Sequence, residues 1–236
     1  MNEIVIVIIA TFLAGLAMPA GAVIASIEKI ESQWLEQEFR HGIIAFGGGA
    51  LLSAVALVLV PDGIKELEPL SASICFISGG LSFMLLDIFF KIINTSASQL
   101  AAMLSDFIPE SIALGAAFAS QSNTAFLLAV LIALQNLPEG FNAYRELSQS
   151  ASYSSLKIIL MFLLMSFLGP IAGISGYLWL PDFPNIVSAI MLFASGGILY
   201  SIFQDIAPQV KLEKHWLPPM GAILGFVLGM IGFMLT

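Results

Sequence analysis

Cysteine and histidine are nearly absent from this chain of 236 residues: there is one cysteine, Cys75, and there are two histidines, His41 and His215. A single cysteine excludes an intrachain disulfide and a thiolate metal cluster, and leaves little room for redox chemistry. Charge is scarce as well. Only 10% of residues are Asp, Glu, Lys or Arg, 58% are apolar, and the mean hydropathy is +0.97, far outside the range of soluble globular proteins. The net charge of −8 supplies no basic footprint for phosphates, so no nucleic-acid partner is expected and cations are the natural one. Neither HExxH nor GxGD occurs, which removes the usual signatures of intramembrane zinc and aspartyl proteases; the chain is not expected to be an enzyme. No basic segment precedes the first apolar stretch and no small-residue cleavage signal follows it, so that stretch is expected to be retained, with the mature chain beginning near Met1.

What the chain has is apolar length. Runs of about 20 apolar residues can cross a bilayer as helices, and they predict spans at 4–26, 41–62, 70–93, 99–120, 124–146, 155–178, 184–207 and 216–236. The fold class is therefore an all-α polytopic membrane protein, one transmembrane domain over 1–236, with the lipid bilayer as its solvent. Eight spans put both termini on one side. The loops after spans one, three, five and seven hold Lys29, Arg40, Lys91, Arg145, Lys157, Lys211 and Lys214, whereas the opposite loops hold only Lys65. Positive charge marks the cytoplasmic side, so both termini are expected outside. The short loops suggest a prokaryotic inner membrane. The one long polar stretch, Ile27 to Phe39 (IEKIESQWLEQEF), carries Ile27, Ile30, Trp34 and Leu35 at helical spacing and predicts an amphipathic connector.

Span two aligns with span seven at an offset of 147 residues, pairing Phe46 with Phe193, Gly49 with Gly196 and Pro61 with Pro208, although the two spans run in opposite directions. In spans one and six LAMPAG (Pro19) resembles LGPIAG (Pro170). These matches predict a 3+2+3 arrangement: an inverted repeat of helices 1–3 and 6–8 around a central pair, helices 4 and 5.

That pair carries proline and acid where lipid should be. Span four reads DFIPES (Asp106, Pro109, Glu110) and span five QNLPEG (Gln135, Asn136, Pro138, Glu139). Ionisable residues at membrane depth are costly and usually line a cavity, a relay or an ion path. Asp106 and Glu110 lie one turn apart on one helix face, as do Gln135 and Glu139, and the connection Ser120 to Asn123 forces an antiparallel hairpin that brings the two faces together. At 1.5 Å per residue, these groups fall roughly 15 to 25 Å from the hairpin, near the bilayer midplane. Pro109 and Pro138 lack an N–H, which offers the carbonyls of Ser105 and Leu134 as further oxygen ligands or water anchors. Carboxylates and amides without imidazole or thiolate suit hard or borderline divalent ions: manganese, ferrous iron, zinc or magnesium. Such an ion would be substrate rather than cofactor, and no cofactor is expected.

The paired xPE motifs, eight spans and outward termini resemble the ZIP (Zrt/Irt-like) family of divalent metal transporters. Members carry HNxPEG on span four and H/Q-N/D-xPEG on span five. LVPDGI at the end of span two is similar to the family's LxPEA or LxPEG, and GGILYSIFQDIAP in span seven is similar to GxxLYxxxxELxP. The resemblance implies import of a divalent metal into the cytoplasm by alternating access, a homodimer, and transport-site roles for Asp106, Glu110, Gln135, Asn136 and Glu139. Asp62 and Asp205 are candidates for the ion path. Departures from the pattern stand at Asp106 (usually His), Phe107 (usually Asn) and Gly169 (often Glu), which implies one metal position rather than two. The alternative expectation is a ZIP-like homologue that has lost metal transport, or one that moves another solute or protons.

Overall fold

The computed structural model describes residues 3–28, 33–93, 96–150, 153–180, 182–210 and 216–236, with backbone alone at 33–36, 93, 96–102 and 150. Lys29, Ile30, Lys211, Lys214 and His215 lie outside the described residues, as do the side chains of Trp34 and Leu35. The described chain is helical throughout, with no strand. Helices occupy all eight expected positions. They are α1 Glu3–Ile27; α2 Gln33–Ala54 continuing into α3 Val60–Gly63; α4 Pro69–Ile93; α5 Ser96–Ala119; α6 Ala125–Ser150; α7 Ser155–Ser166 followed by α8 Leu168–Trp179; α9 Pro184–Ser201 continuing into α10 Ala207–Val210; and α11 Leu217–Met234. The connector expected before 41 is in part the start of α2, whose helix begins at Gln33.

Seven of these helical stretches are long and apolar enough to cross a membrane, which makes the chain compatible with an integral, polytopic, all-α membrane protein. In α5, the fourth expected span, the side chains are described only from Met103 onward, and it is not among the seven. Apolar side chains such as Leu70, Ile74, Ile77, Leu81 and Leu85 on α4 face outward, as lipid solvent allows.

Two departures from α geometry interrupt the bundle. Val55–Leu59 and Ile202–Ile206 each form a single π turn, closed by i→i+5 bonds from Val60 N–H to the Val55 carbonyl and from Ala207 N–H to the Ile202 carbonyl. The two turns stand at the same offset of 147 residues that aligns spans two and seven. A third break follows from Pro170. Its missing N–H leaves the helix without its usual bond at this turn, α7 ends at Ser166, and Phe167 N–H donates instead to the Leu164 carbonyl at 3.2 Å. In contrast, α1, α5 and α6 run through Pro19, Pro109 and Pro138 without ending.

Glycines set the closest helix contacts, as small residues do where no solvent drives helices together. A Cβ at Gly49 would fall on the Ala222 carbonyl and one at Gly225 on the Phe46 carbonyl, joining α2 to α11. The same pair of contacts recurs between α9 and α4, where Gly196 meets the Phe76 carbonyl and Gly79 the Phe193 carbonyl. Around the centre, Gly21 and Gly140 meet the carbonyls of Leu137 and Met18 between α1 and α6, while Gly176 and Gly115 meet those of Ile112 and Gly173 between α8 and α5. Here Met18 corresponds to Gly173, and Gly21 to Gly176. This register lies about one helical turn from the one Pro19 and Pro170 suggest, because backbone approach rather than proline placement fixes the packing.

Candidate functional site

The hairpin connection is short and built from local bonds. Gln121 takes φ 53°, and Ser122 N–H and Ala125 N–H donate to the carbonyls of Ala117 and Ser122. The hairpin sets α5 beside α6 so that Glu110 and Gln135 meet: Gln135 Nε2 donates to both Glu110 oxygens at 2.6 Å. Both side chains are buried. Gln135 Oε1 and Asp106 Oδ1 are also buried and have no hydrogen-bond partner. Asp106, Glu110 and Glu139 lie within electrostatic reach of one another.

These groups border a cavity of about 420 Å³. Asp106, Gln135 and Glu139 are in its wall, and Ser105, whose carbonyl precedes Pro109 by four residues, is beside them. From there the cavity runs toward the end of the bundle that holds Arg40, Lys91 and Arg145, past Asn142 and Glu146 on α6, Asp87 and Lys91 on α4, and Tyr200 and Asp205 on α9 and the second π turn. The π turn therefore carries Asp205 into the wall, a common use of this irregularity. Gly47 of α2 lies against Pro138, where its own Cβ would come within 2.9 Å of Pro138 Cγ, so α2 closes the cavity beside the α6 proline.

Not every candidate faces this space. Asn136 points to α1 and donates through Nδ2 to the Ala14 carbonyl at 2.9 Å. One residue along a helix is a rotation of about 100°, which turns Asn136 away from the face that Gln135 and Glu139 share. Glu110 stands behind the Gln135 amide and is not in the cavity wall. Asp62 lies at the other end of the bundle. Its Oδ1 pairs with Lys65 Nζ at 2.6 Å, and its Oδ2 accepts from Thr124 Oγ1 at 3.1 Å and Ser122 Oγ at 3.4 Å, tying the end of α3 to the α5–α6 connection. Among the described residues, no group of three or more His, Cys, Asp or Glu side chains is gathered to hold a metal ion. The acceptor set at the inner end of the cavity is two carboxylates, Asp106 and Glu139, with the Gln135 amide oxygen.

Several polar groups in the wall were not singled out from sequence as part of the site. Gln135, Glu139, Asn142 and Glu146 form one stripe at spacings of 4, 3 and 4 along α6, which continues the helical period one and two turns past the QNLPEG motif. Asn142 joins a chain in which Arg40 donates to its Oδ1 at 3.1 Å and its Nδ2 donates to Glu146 Oε1 at 3.2 Å. Asp87 and Lys91, one helical turn apart on α4, form an ion pair at 2.7 Å. Tyr200 has no sequence signal beyond its motif position. Its hydroxyl donates to Asp87 Oδ2 at 3.1 Å.

Behind the site, Phe107 is fully buried and fills the space beside Gly15 and Gly169. A Cβ at Gly169 would lie 2.7 Å from Phe107 Cζ and 2.8 Å from the Thr11 carbonyl oxygen. Gly169→Glu alone is therefore expected to lower folded yield and melting temperature. Adding Phe107→Asn removes the ring contact and is expected to recover part of that loss, with a carboxylate and an amide side by side behind Asp106. Size-exclusion profiles and melting temperatures check this; equal stability of the single and double variants would contradict the coupling.

The sequence matches no model of a known protein family and no curated protein.

Proposed function

We propose that this chain carries a divalent metal ion across a membrane, into the cytoplasm, by alternating access at a site between α5 and α6. The observation that carries the reading is the inner end of the cavity, where a buried carboxylate oxygen of Asp106 and the buried amide oxygen of Gln135 have no hydrogen-bond partner and Glu139 lines the same wall. Such an acceptor-only surface at membrane depth suits a desolvated cation. Glu139, Asp106 and Gln135 would be the groups first met from the cavity. Glu110 would join them once the Gln135 amide turned aside, and Asn136 would do so only by giving up its bond to Ala14. The cavity reaches one end of the bundle, and the Asp62, Ser122 and Thr124 contacts tie the other end together. That asymmetry fits a carrier facing one side, and Asp205 lies on the open route.

In this reading the eight helices all span the membrane in a 3+2+3 arrangement, with helices 1–3 and 6–8 as inverted repeats. The matched π turns and the paired glycine contacts support it. The basic residues at the cavity mouth support a cytoplasmic opening and outward termini. The resemblance to the ZIP family, and with it a prokaryotic inner membrane and a homodimer, belong to the same proposal.

A second reading is favoured by two observations: only two carboxylates, Asp106 and Glu139, stand at the inner end of the cavity, and Phe107 packs an aromatic ring against Gly15 and Gly169 where the ZIP pattern has an asparagine. It is a ZIP-like homologue that moves protons or another solute instead of metal. Uptake of Zn, Mn, Fe(II), Co and Cd into proteoliposomes with internal pH monitored separates the two. Entry of at least one metal, saturable and blocked by a competing metal, is the expected result. A pH change without metal entry, from folded protein, would select the second reading.

A further inference from the structure

Five carboxylates line the cavity, Asp87, Asp106, Glu139, Glu146 and Asp205, and among the described residues that do so Lys91 is the one basic side chain. Its ammonium sits on Asp87 Oδ2, and the same oxygen accepts from Tyr200 Oη across the α4–α9 contact. Asp205, on the π turn beyond Tyr200, is in electrostatic reach of Asp87, Lys91 and Glu146. The Lys91 side chain is 60% exposed while that of Asp87 is 21% exposed, so the carboxylate is held in the wall and the cation reaches into the mouth.

We propose that Lys91 is a tethered counter-cation that sets the rate at which the transported ion leaves the cavity. This rests on the transport reading above. A divalent ion descending from Asp106 and Glu139 must pass Asp87 and Asp205, which stand on facing elements. Two carboxylates with a phenol beside them would clasp such an ion and delay it. An ammonium has three donors and no acceptor: it occupies Asp87, repels the passing ion, and cannot itself act as a ligand. Its four-carbon stem lets it shift aside and return, which a rigid guanidinium fork or a fixed apolar wall would not do as readily. The positive charge thus keeps the exit shallow. An i,i+4 pair that only supported the helix end would leave the transport cycle alone.

The test uses the full chain in proteoliposomes, with Mn(II) as the probe, in the unmodified form and as Lys91→Met, Lys91→Gln, Lys91→Arg and the double variant Asp87→Asn with Lys91→Met. Initial uptake rates are measured against concentration, and bound manganese is counted on the purified protein. For Lys91→Met and Lys91→Gln, the half-saturating concentration and the maximal rate should both fall by about tenfold, within the usual range of coupling between sites, and an additional manganese should be bound. Lys91→Arg should restore most of the rate, because it keeps the charge. The double variant should regain rate and lose the additional ion, because the trap is gone. Unchanged rate and unchanged bound metal in both neutral variants would overturn the proposal, and so would an arginine variant as slow as the methionine one. An unmodified chain that takes up no metal would overturn the transport reading itself, and this inference with it.

Discussion

Proteoliposomes carrying Glu139→Ala or Glu110→Ala should take up divalent metal no faster than empty vesicles. Losing a residue that merely supports a metal ligand lowers affinity or activity about 10–100-fold, so losing a direct ligand is expected to cost about 100-fold or more. The two variants should fail for different reasons. Glu139 stands in the cavity wall, and on the proposed route its removal takes away the carboxylate that would meet the ion first. Glu110 is reached only past Gln135, which donates to both of its oxygens. Its removal leaves a buried amide without its acceptor, at a cost of about 1–3 kcal/mol, and Gln135 is then free to rotate. Glu110→Gln keeps the volume and should fold better than Glu110→Ala while remaining inactive. Elution profiles and thermal unfolding of each variant separate lost transport from lost fold. Undiminished uptake by both alanine variants would sink the assignment of α5 and α6 as the route.

The second large effect is on folding. At Gly115 and Gly140 an added Cβ would meet the carbonyls of Gly173 and Met18, and backbone atoms cannot swing aside as a side chain can. Gly115→Ala and Gly140→Ala should each destabilise the bundle by about 1–3 kcal/mol, as overpacking does, and the corresponding leucine variants should not yield monodisperse protein. The control is Gly42→Ala. Nothing lies within 4 Å of a Cβ there, and because alanine is the better helix former by about 0.5–1 kcal/mol, this variant should be neutral or slightly stabilised. Melting temperatures in one detergent would check all three. Equal tolerance of alanine at Gly42, Gly115 and Gly140 would mean that the helices can part without loss, against the close approach seen at both seams.

How much of this could be read from the letters depends on the kind of interaction that fixes each feature. Helix positions were legible because span length and apolarity are properties of a single segment. The expected 184–207 became Pro184–Val210, and 70–93 became Pro69–Ile93. The facing of Gln135 and Glu139 was legible too, since one helical period decides it. The partners of Asn136 and Asp62 were not. Asn136 is claimed by a carbonyl of α1 and Asp62 by hydroxyls of a distant connection, and no local pattern announces a partner 122 or 62 residues away. The stripe continuing to Asn142 and Glu146 was present in the spacing, yet it lies outside the motif that drew attention. The π turns have no compositional mark. Val55–Leu59 is wholly apolar, whereas Ile202–Ile206 contains Gln204 and Asp205, and the difference in hydrogen bonding appears only in the folded backbone.

Those two turns also bear on ancestry. A π turn closes on i→i+5 rather than i→i+4 bonds and so holds one more residue than an α turn. On the proposed repeat, the two turns occupy equivalent positions, at the offset that also pairs Phe46 with Phe193, Gly49 with Gly196 and Pro61 with Pro208. Independent insertions would have to strike the same turn twice. If the halves arose by duplication of a three-helix unit, one insertion copied with that unit accounts for both and precedes the duplication. The backbone irregularity would then be older than the transport site, because the α5–α6 hairpin could close between the halves only once there were two of them.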